Sequence, residues 1–218
     1  MKIIDNFLDN PYKVRNRALE FVKELNYKYP FTPSHIGSWP GFRICSTAVG
    51  KDKMIDIVGN SYIEKMKSSI DEDIFLDQIS IQWVGSIWGT GAAHTDYPNN
   101  HISITYLTED PPPNSGTEVY PDYEFIDLTS KSSNEKLELG KFDAEKQSYY
   151  LSHKNEKKKK YFLTKLAGLN SHFKNPVIAS NKFNRNVIYN SRHIHRAQDF
   201  FGDDLDNSRM TLVSFWDK

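Results

Sequence analysis

The chain is short of cysteine, of net charge and of long apolar runs, and each shortage removes a class of protein. Cys45 is the only cysteine among 218 residues. One thiol forms neither an internal disulfide nor a cysteine-rich zinc site, and it suits a reducing compartment. Lys and Arg number 28, and so do Asp and Glu, so the formal net charge is zero. No global field draws the chain to nucleic acid or to an anionic membrane, which argues against both as partners. No stretch reaches the roughly 20 apolar residues that span a bilayer. The opening Met1-Lys2-Ile3-Ile4-Asp5 turns polar at once, unlike a secretory leader. The expectation is a cytoplasmic protein with no membrane segment.

What is present is ordinary for a globular domain: 38% hydrophobic, 26% charged and 13% aromatic residues. That excludes disorder as the main state and leaves room for one core without staples. Asp9-Asn10-Pro11 is a helix start, a capping side chain before a first-turn proline. Val14, Ala18, Phe21, Val22 and Leu25 follow at helical spacing, which predicts a helix over 11–26. Residues 27–43 are broken by Pro30, Pro33, Gly37, Pro40 and Gly41 and read as an aromatic loop. A second helix is expected over 53–69, with Met54, Ile57, Val58, Tyr62, Ile63 and Met66 as its stripe, interrupted at Gly59.

After residue 72 the period changes from helical to two. Ile79, Ile81 and Trp83 alternate, as do Ile102, Ile104 and Tyr106; 186–189 and 209–216 are further strands. Helices first and short strands after predict a mainly β fold, a jelly roll with helices packed on one sheet. The division is 1–72 as helical support, 73–120 and 183–218 as β core, and 121–182 as an insertion or lid. That insertion holds the run Lys157 to Lys160, read as a solvated face, and a possible helix from Tyr161 to Phe173.

Seven histidines are spread along the chain. His35, His153 and His172 have no partner pattern and read as surface residues; His101 opens a strand. His94-Thr95-Asp96 follows the small-residue turn Gly89-Thr90-Gly91-Ala92-Ala93. In an extended chain residues i and i+2 point the same way, so an imidazole and a carboxylate are presented to one point. Alone the tripeptide is weak, because an Asp in a surface turn also bonds local backbone. His193-Ile194-His195 supplies a further imidazole, and either histidine fits. Arg209-Met210-Thr211 opens the last apolar strand. Two histidines and one carboxylate can occupy one face of an octahedral Fe(II) and leave positions open for a bidentate co-substrate and for O2. An arginine inside the barrel offers a planar two-pronged donor to a carboxylate.

In that order these pieces resemble the Fe(II)- and 2-oxoglutarate-dependent oxygenase superfamily, within it the prolyl-hydroxylase-like group of small bacterial and phage proteins. The likeness is carried by Ile4 to Pro11 with Arg15 and Ala18-Leu19, by Trp39-Pro40-Gly41-Phe42-Arg43, by Gly116 to Tyr120, and by Asn186 to Trp216. It covers most of the chain except 121–182. The resemblance implies a double-stranded β-helix, cupin-like core and the cofactors Fe(II), 2-oxoglutarate and O2. His94 and Asp96 become metal ligands, with His195 preferred to His193 as the third because His-Arg-Ala matches the family's distal segment better. Arg209 would meet the distal carboxylate of 2-oxoglutarate. Thr211 and Tyr106 are secondary candidates for that pocket, each with a plain structural reading as a strand or core residue. The family's halogenases carry a small residue in place of the aspartate; Asp96 is present, which favours hydroxylation of a C–H bond with release of succinate and CO2.

Three points stay open at this level. The substrate is a small molecule or a peptide or amino-acid side chain. Arg43 is either a substrate contact or one half of a salt bridge. Two other functions use the same fold: a zinc hydrolase, which would need a base beside the metal and has no use for Arg209, and a non-catalytic jelly-roll binding module with Trp39, Trp83, Trp88 and Trp216 as a stacking platform.

Overall fold

The computed structural model describes residues 1–25, 41–96, 98–124 and 156–218. The elements run β1 (Lys2–Ile4), α1 (Pro11–Glu24), β2 (Phe42–Cys45), α2 (Ser46–Val49), α3 (Lys51–Val58), α4 (Asn60–Ser69), β3 (Phe75–Val84) and β4 (His101–Tyr106). They continue with β5 (Thr117–Glu124), α5 (Glu156–Asn170), β6 (Val177–Ala179), β7 (Asn186–Asn190), β8 (His193–Ala197) and β9 (Arg209–Asp217). The strands form a six-stranded sheet in the order β1-β7-β4-β9-β3-β2 and a three-stranded sheet in the order β6-β5-β8. Every pairing is antiparallel. Among the described residues no helix is long and apolar enough to cross a membrane.

Helix α1 starts where the capping signal places it. The Asn10 side chain accepts from the Lys13 backbone N–H at 2.9 Å, and Pro11 fills the first position, where no N–H is needed. Its buried face is Val14, Ala18, Leu19 and Val22, whereas Leu25, expected in the stripe, lies just past the helix end and is exposed. The expected second helix is two helices. Gly59 sits between them at φ +90°, a value an L side chain rarely adopts, so the chain turns there and a helix cannot run through.

The helices cover one face of the larger sheet. Val14, Ala18, Met54, Ile57, Tyr62 and Met66 pack with Ile79, Ile81, Trp83, Met210, Leu212 and Trp216 in one cluster. These strand residues share a face because strand parity is two and the register sets Ile81 opposite Leu212 and Trp83 opposite Met210. The opposite face looks toward the three-stranded sheet. There Ile102, Ile104, Tyr106, Val187, Tyr189, Val213 and Phe215 meet Val119 and Ala179. Helices on one sheet and a second sheet over its other face are the architecture expected.

Four elements differ from the sequence expectation. Strand β2 begins at Phe42, inside the stretch read as a loop; β5, readable from the sequence as a turn at Ser115 feeding a strand to Tyr120, continues to Glu124; β6 was not foreseen; and the helix expected over 161–173 runs from Glu156 to Asn170. Short edge strands such as β6 carry too few residues for a periodic signal. The stretch 121–182 thus contributes α5 and β6 to the fold, while 125–155, the bulk of the expected lid, lies outside the described residues. So does 26–40, which holds most of the aromatic loop with Trp39 and His35.

Candidate metal and co-substrate site

The three-stranded sheet is extended by an irregular segment that carries His94. Gly91 donates to the Ala197 carbonyl at 3.1 Å, and His94 and His195 exchange both backbone hydrogen bonds, at 3.0 and 2.9 Å. The two histidines therefore stand directly opposite each other, side chains on one face. The approach depends on Gly91, where a Cβ would lie 2.8 Å from the Ala197 nitrogen and 2.9 Å from its carbonyl oxygen. That explains the small-residue turn before the histidine. The backbone then leaves register: Asp96 donates to the Ser191 carbonyl, and its carboxylate reaches over to the pair.

His94, Asp96 and His195 each offer one ligand atom, and these atoms lie within 4.8 Å of one another. Asp96 Oδ2 is 3.1 Å from His195 Nε2, and Oδ1 is 3.8 Å from His94 Nε2. The other ring nitrogens are committed elsewhere. His94 Nδ1 donates to the Ala92 carbonyl at 2.8 Å and His195 Nδ1 to the His193 carbonyl at 3.0 Å. A carbonyl only accepts, so each Nδ1 donates there and each Nε2 is the nitrogen turned toward Asp96, whose Oδ2 accepts from His195 Nε2 at 3.1 Å. Desolvation lowers the His94 pKa, with help from the neighbouring His195, so the ring is held neutral. Burial pushes Asp96 up, but His94, His195 and Arg43 together outweigh it and hold the carboxyl below its usual range.

Arg209 opens β9 on the same inner face. It is 4% exposed, donates from Nε to the Ser115 carbonyl at 3.0 Å and from Nη2 to Thr117 Oγ1 at 3.4 Å, and lies over the rings of Tyr106 and Phe200. All of these partners are neutral, and among the described residues no carboxylate forms an ion pair with Arg209. Burial lowers its pKa. A buried cation without an anion costs several kcal/mol. Thr211, two residues on, is fully buried with Oγ1 unpartnered, and the hydroxyl of Tyr189 is buried and unpartnered too. The Tyr189 ring lies tilted 4.9 Å from the His195 ring, and burial raises the pKa of its hydroxyl. Tyr106 is closer to structural: its hydroxyl donates to Thr117 Oγ1 at 2.7 Å and lies 3.2 Å from the Ala179 carbonyl.

The expected residues therefore divide. His94, Asp96 and His195 come together in one cluster, and Arg209, Thr211 and Tyr106 share the sheet face that looks toward the three-stranded sheet. His193 supplies a backbone carbonyl to His195, and its side chain is outside the cluster of ligand atoms. His101 pairs with Glu72 at 3.1 Å, and His172 is exposed; His153 lies outside the described residues. Lys157 and Lys160 are exposed, as a solvated face requires. Trp83, Trp88 and Trp216 are buried in hydrophobic clusters and offer no stacking platform. Tyr189 was missed by sequence reading; its signal was an aromatic hydroxyl alternating with Val187. Gln82 was missed as well, one of four polar residues in β3 with Asp77, Gln78 and Ser80, placed on the inner face opposite Thr211.

No protein-family model matches the chain, and comparison with curated protein sequences gives no match. Solved structures do match. The non-heme alpha-ketoglutarate-dependent epimerase SnoN from nogalamycin biosynthesis is similar over 99% of this chain and 75% of its own, at 12% identity and a TM-score of 0.56. EctD from S. alaskensis, solved with 2-oxoglutarate and 5-hydroxyectoine, is similar over 99% and 71%, at 10% identity and a TM-score of 0.55. A prolyl 4-hydroxylase from Phytophthora capsici is similar over 99% of this chain, at 14% identity and a TM-score of 0.50. The chain spans 57% of that protein's length and 47% of another match, EvdMO1. At these identities the likeness is one of fold: the chain has the double-stranded β-helix of these proteins.

Proposed function

We propose that the protein is an Fe(II)- and 2-oxoglutarate-dependent dioxygenase that hydroxylates a C–H bond of a small molecule or of an amino-acid or peptide side chain. One observation carries the reading: between the two sheets stand a two-histidine, one-carboxylate cluster and a buried Arg209 whose partners among the described residues are all neutral. The donor set suits Fe(II), and three ligands leave coordination positions open. The chamber also suits the co-substrate. An anionic carboxylate is what Arg209 lacks, and the unpartnered hydroxyls of Thr211 and Tyr189 are the polar groups that a second oxygen cluster would satisfy.

When bound, the iron and 2-oxoglutarate would supply the oxidising power through decarboxylation of the co-substrate with O2. The chain supplies the rest. His94, Asp96 and His195 would hold the metal, with the Nδ1 bonds to Ala92 and His193 keeping both rings oriented. Arg209 and Thr211 would fix the far end of the co-substrate, and Tyr106 under the guanidinium keeps it in place. The apolar walls from Ile102, Val187, Val213 and Phe215 exclude water from the chamber.

The zinc-hydrolase alternative is disfavoured by two features. Among the described residues the charged groups acting on His94 and Asp96 are one another, His195 and Arg43, and no further carboxylate is among them. Arg209 would also have no task. A passive binding module would not need three unsatisfied or uncompensated groups in its interior. The deciding experiment is anaerobic titration of metal-free protein with Fe(II) and then 2-oxoglutarate, followed in the visible spectrum. A charge-transfer band that needs both additions, and that weakens in Arg209→Ala, is the expected result. A protein that takes up only zinc and shows no band sinks the reading.

A further inference from the structure

The segment that carries His94 is held from outside by helix α5. Asn170, the last residue of α5, is 9% exposed. Its side chain reaches far back along the chain, to the residues just before His94. Nδ2 donates to the Gly91 carbonyl at 3.0 Å, and Oδ1 accepts from the Ala93 N–H at 2.9 Å. A carbonyl only accepts and a backbone N–H only donates, so these partners fix which end of the amide is which. One side chain thus serves the outer edge of the segment as a residue of a neighbouring strand would. The other edge bonds β8, at Gly91 and at His94.

One peptide plane links Asn170 to His94. The Ala93 N–H and the Ala92 carbonyl belong to the same planar unit and point opposite ways. Asn170 holds the N–H, and the carbonyl is the group that accepts from His94 Nδ1 at 2.8 Å. Tilting that plane turns the acceptor away and releases the imidazole. Apolar packing supports the same placement from two directions. Ala92 packs against the cluster that holds Trp88 with Phe162 and Leu166 of α5. Ala93 packs against the cluster that holds Phe173, just past the helix, with Tyr120 and Ile194. His195 stands within β8, whose backbone is paired along β5; the His94 segment has no such strand on its outer edge, and Asn170 takes that place.

We propose that Asn170 is a positioning residue for the metal site: its amide fixes the Ala92–Ala93 peptide and, through it, the orientation of the His94 ring. This rests on the metal-binding part of the dioxygenase reading. Asn170 acts only through His94. The proposal also gives α5 a task, because a helix from the stretch expected as an insertion or lid ends in a strut of the metal-ligand set. Outer contacts that orient a ligating histidine are typically worth roughly 10–100-fold in metal affinity.

The test uses full-length protein and Co(II), whose d–d absorption reports the number and geometry of its ligands. Asn170→Asp keeps the shape and the bond from Ala93 but turns an acceptor toward the Gly91 carbonyl. Asn170→Ala removes both bonds. Val22→Ala, which trims the buried face of α1, is the control for lost stability alone. Co(II) affinity should fall ~10-fold in Asn170→Asp and further in Asn170→Ala, with an altered d–d band, and should stay at the wild-type value in Val22→Ala. Hydrogen exchange supplies a second readout on the wild type. Coupling is reciprocal, so an amide that favours metal binding is itself favoured by metal, and Zn(II) should slow exchange of the Leu166 and Leu169 amides of α5. Equal Co(II) affinity in wild type and both Asn170 variants overturns the proposal, as does an equal loss in Val22→Ala. If neither Asn170 variant folds, the exchange measurement decides, and no slowing in α5 overturns the proposal. Failure here leaves Co(II) binding by the wild type intact, whereas a wild type that binds no Co(II) overturns the metal reading and this proposal with it.

Discussion

The two faces of β9 belong to the same strand and to two different problems. On the helix side Met210, Leu212, Ser214 and Trp216 close a dry core. Its polar atoms largely satisfy one another: the Tyr62 hydroxyl bonds Ser214 at 2.6 Å and Ser103 at 3.3 Å, and Ser103 donates to Asn186 at 2.6 Å. Trp83 Nε1 is the exception. Burial pushes the Tyr62 hydroxyl up to about 12, so that network stays neutral. On the inner face, among the described residues, Arg209 has no carboxylate partner and Thr211 Oγ1 has no hydrogen-bond partner. One residue of shift along the chain separates a face that spends nothing on function from a face left deliberately incomplete. Polar groups at a site stay unsatisfied when a ligand is to complete them.

That contrast can be broken at four points. Trp216→Ala removes a fully buried indole from the helix side and should cost about 3–5 kcal/mol in denaturant unfolding. An effect under about 1 kcal/mol would show that this face is not the main core. Arg209→Met should act in the opposite sense. It removes an uncompensated buried cation and should raise the stability of the ligand-free protein by about 1–4 kcal/mol, while the stabilisation given by added 2-oxoglutarate disappears. Thr211→Val should do the same on a smaller scale, about 1 kcal/mol, because it replaces an orphaned hydroxyl with a methyl group of similar size. A loss of stability in both variants would mean that the chamber is already satisfied.

The smallest effect is in pH. The folded-state pKa of His94 is depressed below the ordinary 6.5, so the unfolded chain binds its proton first on acidification. The contribution is fully present above 6.5 and is lost as pH falls toward the depressed value. Metal-free wild type should therefore lose stability below pH 6.5 more steeply than His94→Gln. Parallel pH profiles of the two proteins would remove the assignment of His94 as a neutral, desolvated ring.

Much of this molecule was legible in its sequence. Asn10-Pro11 announced the start of α1, alternation marked β3 and β4 because a period of two is local, and the apolar runs of β7 and β9 marked them as further strands. The residue types of the triad and the arginine were visible too, since Fe(II) and a carboxylate each restrict which side chains can serve. The break at Gly59 was flagged as an interruption, but only the positive φ turned it into a boundary between two helices. Strand β6 escaped because three residues carry no period. Tyr189 and Gln82 escaped because parity says which residues share a face, not which face looks into the chamber.

The sequence by itself determined the periodicities, the helical cap and the stock of metal-binding side chains. The tertiary structure decided which of them meet. His193 and His195 are equivalent by parity, and only the pairing of β8 with a segment 101 residues away, His94 opposite His195, set them apart. Only the fold enclosed Arg209 among Ser115, Thr117, Tyr106 and Phe200, with no carboxylate paired to it among the described residues. Arg43 acquired a place beside the triad only through the register of β2 on β3. Local propensity acts over a few residues, whereas strand register is fixed by the burial of whole faces against each other.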